Sequence, residues 1–135
     1  VGYDLSTSLA VEGARRALGM AIDQASFPLK GLIHHTDHGI QYACRIYRER
    51  LEELGILSSM GEVGNCYENA LAERMNGILK QEYGLGDSFP EFAQARRAVR
   101  EAVWLYNFER PHLSLDYEIP AQMHSKKEPE MVIVY

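Results

Sequence analysis

The side chains most able to do chemistry lie in one short run, HHTDHGIQY, at positions 34–42. It combines three histidines with a single aspartate, Asp37. The apolar GLI at 31–33 precedes the run, and YACRIYRERLEELG at 42–55, which has helical spacing, follows it. The run therefore lies where a strand ends and a helix begins. Active-site carboxylates of α/β folds are commonly found at such a junction.

A second carboxylate, Glu73, lies on the helix that is predicted at 67–83. Steps of three and four residues give that helix a polar stripe, which consists of Asn69, Glu73, Asn76 and Lys80. Two carboxylates that converge without a cation repel each other and raise each other's pKa. A divalent metal removes that conflict, and oxygen ligands without a thiolate favour Mg²⁺ or Mn²⁺.

A zinc site built from His34, His35 and His38 is the competing interpretation of the run. Side chains alternate between the two faces of a strand, so His35 shares a face with Asp37 while His34 points away. We therefore expect no convergence of the three rings. His35 is a candidate for supporting Asp37 without itself binding the metal. Alternatively, it is a strand histidine whose hydrogen bonds are satisfied elsewhere in the fold. The simplest roles for the two carboxylates are a helix cap for Asp37 and a solvated helix position for Glu73.

The pattern of apolar residues predicts an α/β order of strands and helices. We expect strands at 1–5, 32–37 and 56–60, with a possible further strand at 131–135. We expect helices from a serine or threonine cap at 6–8 to about residue 25, then at 42–55, 67–83 and 89–108. Gly55 is predicted to end the second of these helices. The loop 61–66 has two glycines and is predicted to be mobile.

Composition restricts the class of protein. The 135 residues suffice for one compact domain, and the apolar fraction of 46% is that of a soluble globular protein. Two cysteines, Cys44 and Cys66, are too few for a disulfide framework and favour a reducing cytoplasm. No run is long enough to span a membrane. The net charge of −5 argues against a general nucleic-acid coat, although a local basic face is compatible with it.

Several strings resemble the DDE transposase and retroviral integrase superfamily. They are HTDHG, then thirty-five residues between Asp37 and Glu73, then ENALAERMNGILK. GNCYENALAERMNGILKQE and YNFERPHLSLDYEIP are similar more specifically to the integrase-type subunit of bacterial insertion-sequence transposases. The resemblance covers the chain from about residue 1 to residue 123.

The resemblance implies a ribonuclease H-like fold and metal-dependent cutting and joining of DNA. It implies that Asp37 and Glu73 are ligands of a two-metal Mg²⁺ (or Mn²⁺) site, and that Asn69 and Lys80 contact DNA. His35 and Asn76 would support the site without touching the metal. The same resemblance implies DNA as the partner and a bacterial host, in which we expect the cytoplasm as the location and no membrane partner.

One feature of the superfamily has no match. The resemblance requires an aspartate on the first strand of the fold, yet only Asp4 and Asp23 precede Asp37. We therefore expect a helix-rich integrase core without its first two strands, at 1–115, followed by a tail at 116–135. Such a chain is predicted to be inactive alone. The exposed edge of its 32–37 strand should be covered by strand exchange in a homodimer or higher oligomer, or by MVIVY folding back.

Two alternatives remain from the sequence. The chain could be a non-catalytic remnant that binds DNA or dimerises, or a metal hydrolase built on the histidine and aspartate cluster.

Overall fold

The computed structural model describes residues 2–60, 70–126 and 133–134. The chain divides into two compact units, of which the first comprises residues 1–72 and 131–135 and the second residues 73–130. In chain order the elements are α1 (Val11–Asp23), β1 (Ile33–Thr36), α2 (Ile40–Ala43), α3 (Arg45–Glu53), β2 (Leu57–Met60), α4 (Ala70–Gln81), α5 (Phe92–Phe108), a 3₁₀ turn (Leu113–Leu115), α6 (Pro120–Lys126) and β3 (Ile133–Val134).

The first unit is built on a small parallel sheet with the strand order β2-β1-β3. β1 pairs with β2 along its whole length, from Ile33 opposite Leu57 to Thr36 opposite Met60. Parallel neighbours need a crossover connection, which α2 and α3 provide. The strands predicted at 32–37 and 56–60 are thus confirmed, each slightly shorter than expected.

The other edge of β1 is occupied by the tail of the chain. β3 runs parallel to β1, with Ile33 opposite Ile133 and His34 opposite Val134. Of the two arrangements expected for this edge, the structure has the one in which the tail folds back onto β1. The pairing joins residues a hundred positions apart, which no local pattern could specify.

The strand predicted at 1–5 is wrong for residues 2–5, which form no strand. This segment lies on α1 instead. The backbone of Gly2 is so close to the carbonyl of Ala17 that a β-carbon would not fit, and Arg16 makes two hydrogen bonds to the Asp4 carboxylate, at 3.0 and 2.8 Å. β-propensity depends on an available neighbouring strand, and here the helix supplies the contacts.

The predicted 42–55 helix is broken in two. Cys44, with ψ of 134°, leaves the helical conformation between α2 and α3, and its carbonyl accepts hydrogen bonds from the amides of Tyr47 and Arg48. Tyr47 and Leu51 of α3 are buried, whereas Ile46 is exposed. The break starts α3 at residue 45, and within its first turn Tyr47 is buried while Ile46 is not.

The core of the first unit forms where α1, α3 and the start of β2 meet. Four buried side chains define it, namely Leu18, Tyr47, Leu51 and Ile56. Half-buried apolar residues surround them, including Ala14 and Ile22 of α1. The predicted serine cap of this helix is wrong, because its N-cap is Ala10 without a side-chain hydrogen bond.

Gly55 ends α3 in the manner expected. Its φ of +67° lies in the left-handed region, its amide donates to Glu52 and the amide of Ile56 donates to Leu51. These two hydrogen bonds form a Schellman motif, and the apolar contact that accompanies this motif is the one between Leu51 and Ile56 in the core. The turn therefore delivers the chain from α3 directly into β2.

A hydrogen bond between the side chains of His34 and Tyr47 fastens β1 to α3. The Tyr47 hydroxyl lies 3.0 Å from Nε2 of His34, on the face of β1 opposite His35. Burial, and secondarily the nearby His35, lowers the pKa of His34, and burial raises the pKa of Tyr47 to about 12. At neutral pH the hydrogen bond therefore joins a neutral phenol to a neutral imidazole.

The second unit is helical over its described residues. Ile78 on α4 and Ala102 on α5 are buried, and α5 packs against α6. The helix predicted from 89 begins at Phe92. The ring of Phe92 is exposed, and the guanidinium of Arg96 lies over it, 5.2 Å from the ring centre.

Some expectations fall outside the described residues. They are the loop 61–66, Cys66, the predicted start of α4 at 67–69 and, with it, Asn69. Among the helices that are described, none has the length and apolar character needed to cross a bilayer.

We predict that Gly55→Ala lowers the free energy of unfolding by about 1–2 kcal/mol, because alanine resists the left-handed conformation. Gly19→Ala is the matched control. Gly19 lies inside α1 with no atom within 4 Å of the added methyl group, so this variant should gain about 1 kcal/mol. Urea unfolding measures both. Equal effects of the two substitutions would contradict the Schellman turn.

The His34 environment predicts a pH dependence of stability. Its pKa is near 6.5 in the unfolded chain and lower in the folded one, so the unfolded chain binds more protons between the two values. The free energy of unfolding should therefore fall as the pH drops below about 6.5, and level off below the folded pKa. Burial also lowers the pKa of His112, which contributes with the same sign.

Urea unfolding at about pH 7.5 and about pH 5.5 tests this. His34→Gln should make the pH-dependent loss smaller without abolishing it, since His112 remains. His38→Gln, at an exposed position, is the control and should keep the full loss. If His34→Gln retains the whole loss, then His34 is not the buried neutral group inferred here.

Candidate active site

Asp37 lies immediately after β1, at the carboxyl end of the strand, and its side chain is exposed. One carboxylate oxygen, Oδ1, accepts a hydrogen bond of 2.9 Å from the backbone N–H of Gly39. This is an aspartate turn, in which the side chain replaces a backbone acceptor and fixes its own orientation. The arrangement holds a carboxylate at the sheet edge and leaves it open to solvent.

Gly39 lies in the turn between β1 and α2. Its φ is −56°, which any residue can adopt, so its backbone conformation does not require a glycine. Space is the constraint instead. A β-carbon at this position would lie 2.9 Å from Oδ1 of Asp37 and 2.8 Å from Nε2 of Gln41. A side chain here would displace the carboxylate or the glutamine, so the glycine preserves the geometry of Asp37.

His35 projects from β1 next to the strand β2. Its Nδ1 lies 3.1 Å from the hydroxyl of Ser59, the residue directly opposite it in the parallel register. Its other ring nitrogen, Nε2, is buried and has no hydrogen-bond partner among the described residues. Sequence reasoning missed Ser59, because the pairing of 35 with 59 becomes visible only once the register is known.

The three histidines of the run have separate environments. His34 contacts Tyr47, His35 contacts Ser59, and His38 is exposed. Within the described part of the chain, no group of three or more histidine, cysteine, aspartate or glutamate side chains is placed to hold a metal ion.

The first turn of α4 carries Glu73, and its last turn carries Lys80. Both side chains are exposed, as is that of Asn76 between them, while Ile78 on the other side of the helix is buried. The steps of three and four residues therefore place Glu73, Asn76 and Lys80 along one exposed stripe. Asp37 belongs to the first unit, and Glu73 begins the second.

The carboxylates of Asp37 and Glu73 are chemically suited to binding a magnesium ion. Mg²⁺ prefers oxygen ligands and is commonly held by one or two carboxylates, with water and substrate phosphates completing its coordination. The exposed carboxylate of Asp37, oriented by Gly39, is a ligand of that kind. A site for one Mg²⁺ ion that water and substrate complete needs no cluster of three protein side chains.

A polar cluster in the second unit involves the string YNFERPH. Arg110 makes two parallel hydrogen bonds of 2.9 Å to the carboxylate of Glu82, just after α4. Its Nη1 lies 3.4 Å from Nδ1 of His112, whose ring packs edge-on to Tyr106 at 4.7 Å. The hydrogen bond from Arg110 holds the pKa of Glu82 below its usual range. The cluster ties the end of α4 to the segment after α5, a pairing that the sequence did not reveal.

Residues 54–120 match the integrase core domain family. The chain is 42% identical over 82 residues to a protein assigned to the insertion sequence IS986/IS6110 of Mycobacterium tuberculosis, covering 61% of this chain and 30% of that protein. It is 35% identical over 122 residues to the transposase for the insertion sequence IS629 of Shigella sonnei, covering 90% of this chain and 40% of that protein. The chain thus spans less than half the length of these relatives.

Solved structures show the same fold. A chain of the simian T-cell lymphotropic virus intasome, in complex with a PP2A regulatory subunit, superposes with a TM-score of 0.71 at 21% identity, covering 96% of this chain and 46% of that one. The catalytic core domain of HTLV-2 integrase in complex with magnesium gives 0.62 at 23% identity, covering 87% and 71%.

The predicted ribonuclease H-like integrase fold is therefore confirmed. The match of residues 54–120 to the integrase core domain family and the similarity to proteins of bacterial insertion sequences confirm the predicted resemblance to the integrase core of insertion-sequence transposases.

Proposed function

We propose that this chain supplies part of the catalytic core of a DNA transposase, a DNA nucleotidyltransferase that cuts and joins strands by phosphoryl transfer. The observation that carries the proposal is the exposed Asp37 carboxylate, held at the end of β1 by the amide of Gly39, in a chain whose relatives include named transposases. DNA is the substrate, and the parent protein acts as a homodimer or a larger assembly in the bacterial cytoplasm.

Asp37 and Glu73 are the proposed ligands of Mg²⁺ or Mn²⁺. Such a metal pair, when bound, activates an attacking oxygen and stabilises the leaving oxygen of the phosphate. The protein's own contribution at Asp37 is orientation, because the Gly39 amide fixes Oδ1 before any metal or substrate arrives. A preoriented ligand loses less entropy on binding than a freely rotating one.

The polar groups beside the two carboxylates have supporting roles in this proposal. Lys80, exposed in the last turn of α4, contacts a DNA phosphate, and Asn69 contacts DNA before that helix. Ser59 orients the ring of His35, which supports the site without touching the metal and whose buried Nε2 has no partner among the described residues. Asn76 flanks Glu73 on α4.

The histidine and aspartate hydrolase is disfavoured by the contacts of the histidines. Nε2 of His34 is engaged by the Tyr47 hydroxyl, and Nδ1 of His35 by Ser59. A zinc ion bound by either of these nitrogens would have to break that contact. The other alternative, a remnant that binds DNA or dimerises, differs from the proposed function only in lacking catalytic turnover.

Metal binding tests the two ligands without requiring activity. Free Mn²⁺, followed by electron paramagnetic resonance, gives its affinity for the chain. Asp37→Asn and Glu73→Gln should each weaken this affinity by about tenfold or more, because each removes a carboxylate ligand. Asp23→Asn is the matched control, since it removes one exposed aspartate at the end of α1 and should leave the affinity unchanged.

If Asp37→Asn and Asp23→Asn have the same effect on Mn²⁺ affinity, the proposed site is refuted. If the unmodified chain binds zinc stoichiometrically and His34→Gln or His35→Gln loses that zinc, the hydrolase is supported instead.

A cleavage assay addresses turnover. The 135-residue chain alone is expected not to cut DNA carrying insertion-sequence ends in Mn²⁺, because it has only two of the three carboxylates that the resemblance requires. Cutting that disappears in Asp37→Asn would contradict this expectation.

A further inference from the structure

Arg110 belongs to the string YNFERPH, to which the proposed function gives no role. Its guanidinium makes two parallel hydrogen bonds of 2.9 Å to the carboxylate of Glu82. Such a two-point contact fixes both the distance and the relative orientation of the two groups. The Arg110 side chain is 20% exposed and the Glu82 side chain 47% exposed. The arginine is therefore the more firmly embedded partner of the pair.

The segment after α5 holds Arg110 in place. The Arg110 amide donates to the carbonyl of Leu105 at 3.0 Å, which fastens it to the end of α5. Its Nη1 lies 3.4 Å from Nδ1 of His112, and this nitrogen must accept, because a guanidinium only donates. The His112 amide donates to the carbonyl of Glu118 at 3.1 Å, and the ring packs edge-on to Tyr106. Arg110 thus projects from a segment that is itself fixed to α5.

Glu82 continues the last turn of α4. Its amide donates to the carbonyl of the buried Ile78 at 2.9 Å, as in a helix. At 100° per residue, Glu82 and Ile78 lie on one side of the helix, while Lys80 and Glu73 lie on the opposite side. The contact with Arg110 therefore holds the end of α4 from the side opposite the exposed polar stripe.

The loop that follows α4 lies directly on the backbone of Lys80. The Gly86 amide donates to the Lys80 carbonyl at 3.2 Å, and a β-carbon at Gly86 would lie 3.3 Å from that oxygen. Glu82 begins this loop, so a movement of Glu82 is passed to the last turn of the helix. The position of Lys80 thus depends on where Arg110 holds Glu82.

We propose that Arg110 is a positioning residue for DNA binding, which acts through Glu82 to fix the end of α4 and with it the ammonium group of Lys80. This inference rests on the proposed function, in which Lys80 contacts a DNA phosphate. Arg110 does not itself bind DNA, because its guanidinium is already engaged by Glu82 and His112.

Glu82→Gln separates positioning from direct contact. The substitution removes a negative charge and weakens the hold on the Arg110 guanidinium, so a direct contact with DNA predicts tighter binding. Positioning predicts binding that is weaker by about threefold or more, because Lys80 loses its support. The full chain is titrated into a short labelled duplex of arbitrary sequence at low salt in EDTA, since phosphate contacts do not depend on sequence. Fluorescence anisotropy measures the affinity.

Glu49→Gln is the matched control. Glu49 is 50% exposed and pairs with Arg45 on α3, so its replacement removes the same charge and also releases an arginine. This variant should leave DNA binding unchanged or tighten it slightly. Exposed ion pairs add little to stability, so both glutamate variants should remain folded, which circular dichroism checks.

A double-mutant cycle shows whether the effect passes through Lys80. Lys80→Gln should weaken binding and reduce the salt slope by about one. In this background Glu82→Gln should weaken binding no further, because the contact that it disturbs has already been removed. Arg110→Lys keeps the charge but cannot make both parallel hydrogen bonds, so its affinity should lie between those of the unmodified chain and Arg110→Gln.

Unchanged or tighter binding by Glu82→Gln would overturn the inference, and so would a further loss from Glu82→Gln in the Lys80→Gln background. If Lys80→Gln weakens binding and Glu82→Gln does not, this inference alone is rejected. If Lys80→Gln has no effect, the proposed DNA contact is rejected together with this inference. The titrations contain EDTA, so they are independent of the metal site. A cycle that behaves as expected, beside an Mn²⁺ affinity that Asp37→Asn leaves unchanged, rejects the metal site alone.

Discussion

The parallel pairing of β1 with β2 is the constraint on which the rest of the first unit depends. A parallel pair cannot be closed by a tight turn, so the chain must cross over through α2 and α3 before it returns as β2. The pairing places Ser59 opposite His35 and leaves Asp37 just beyond the last paired residue, Thr36. The position of the carboxylate therefore follows from the register of the sheet, and a shift of one residue would reverse the faces of both histidines.

Packing in the hydrophobic core helps to fix the register between β1 and β2. Leu51 near the end of α3 and Ile56 just before β2 are both buried, and the turn at Gly55 between them sets where β2 begins. Tyr47 adds a polar constraint on the opposite side, because its hydroxyl contacts His34 on β1. Apolar packing, the left-handed glycine and this hydrogen bond thus all hold the strand that ends at Asp37.

The sequence predicted what local pattern controls. The strands at 32–37 and 56–60 and the glycine stop of α3 follow from spacing and turn chemistry, and these are confirmed. The expected strand at 1–5 failed because its residues lie against α1, and the continuous helix at 42–55 failed at Cys44. The spacing of apolar residues along the sequence predicts neither the packing of residues 2–5 on α1 nor the helix break at Cys44.

The details around the candidate site were the least predictable. Ser59 beside His35, and Glu82 beside Arg110, are pairs from distant parts of the chain, and only tertiary structure brings them together. The family resemblance supplied the roles of Asp37 and Glu73, which spacing alone would not have assigned.

The proposal that Asp37 and Glu73 bind the same divalent ion is tested most directly by the paramagnetic broadening that Mn²⁺ causes. In amide spectra of the ¹⁵N-labelled chain, substoichiometric Mn²⁺ should broaden the resonances of residues near Asp37 and near Glu73 at the same concentration. Asp37→Asn should abolish the broadening at both places. Broadening confined to the histidines, or broadening near Asp37 that never extends to Glu73, would contradict the account.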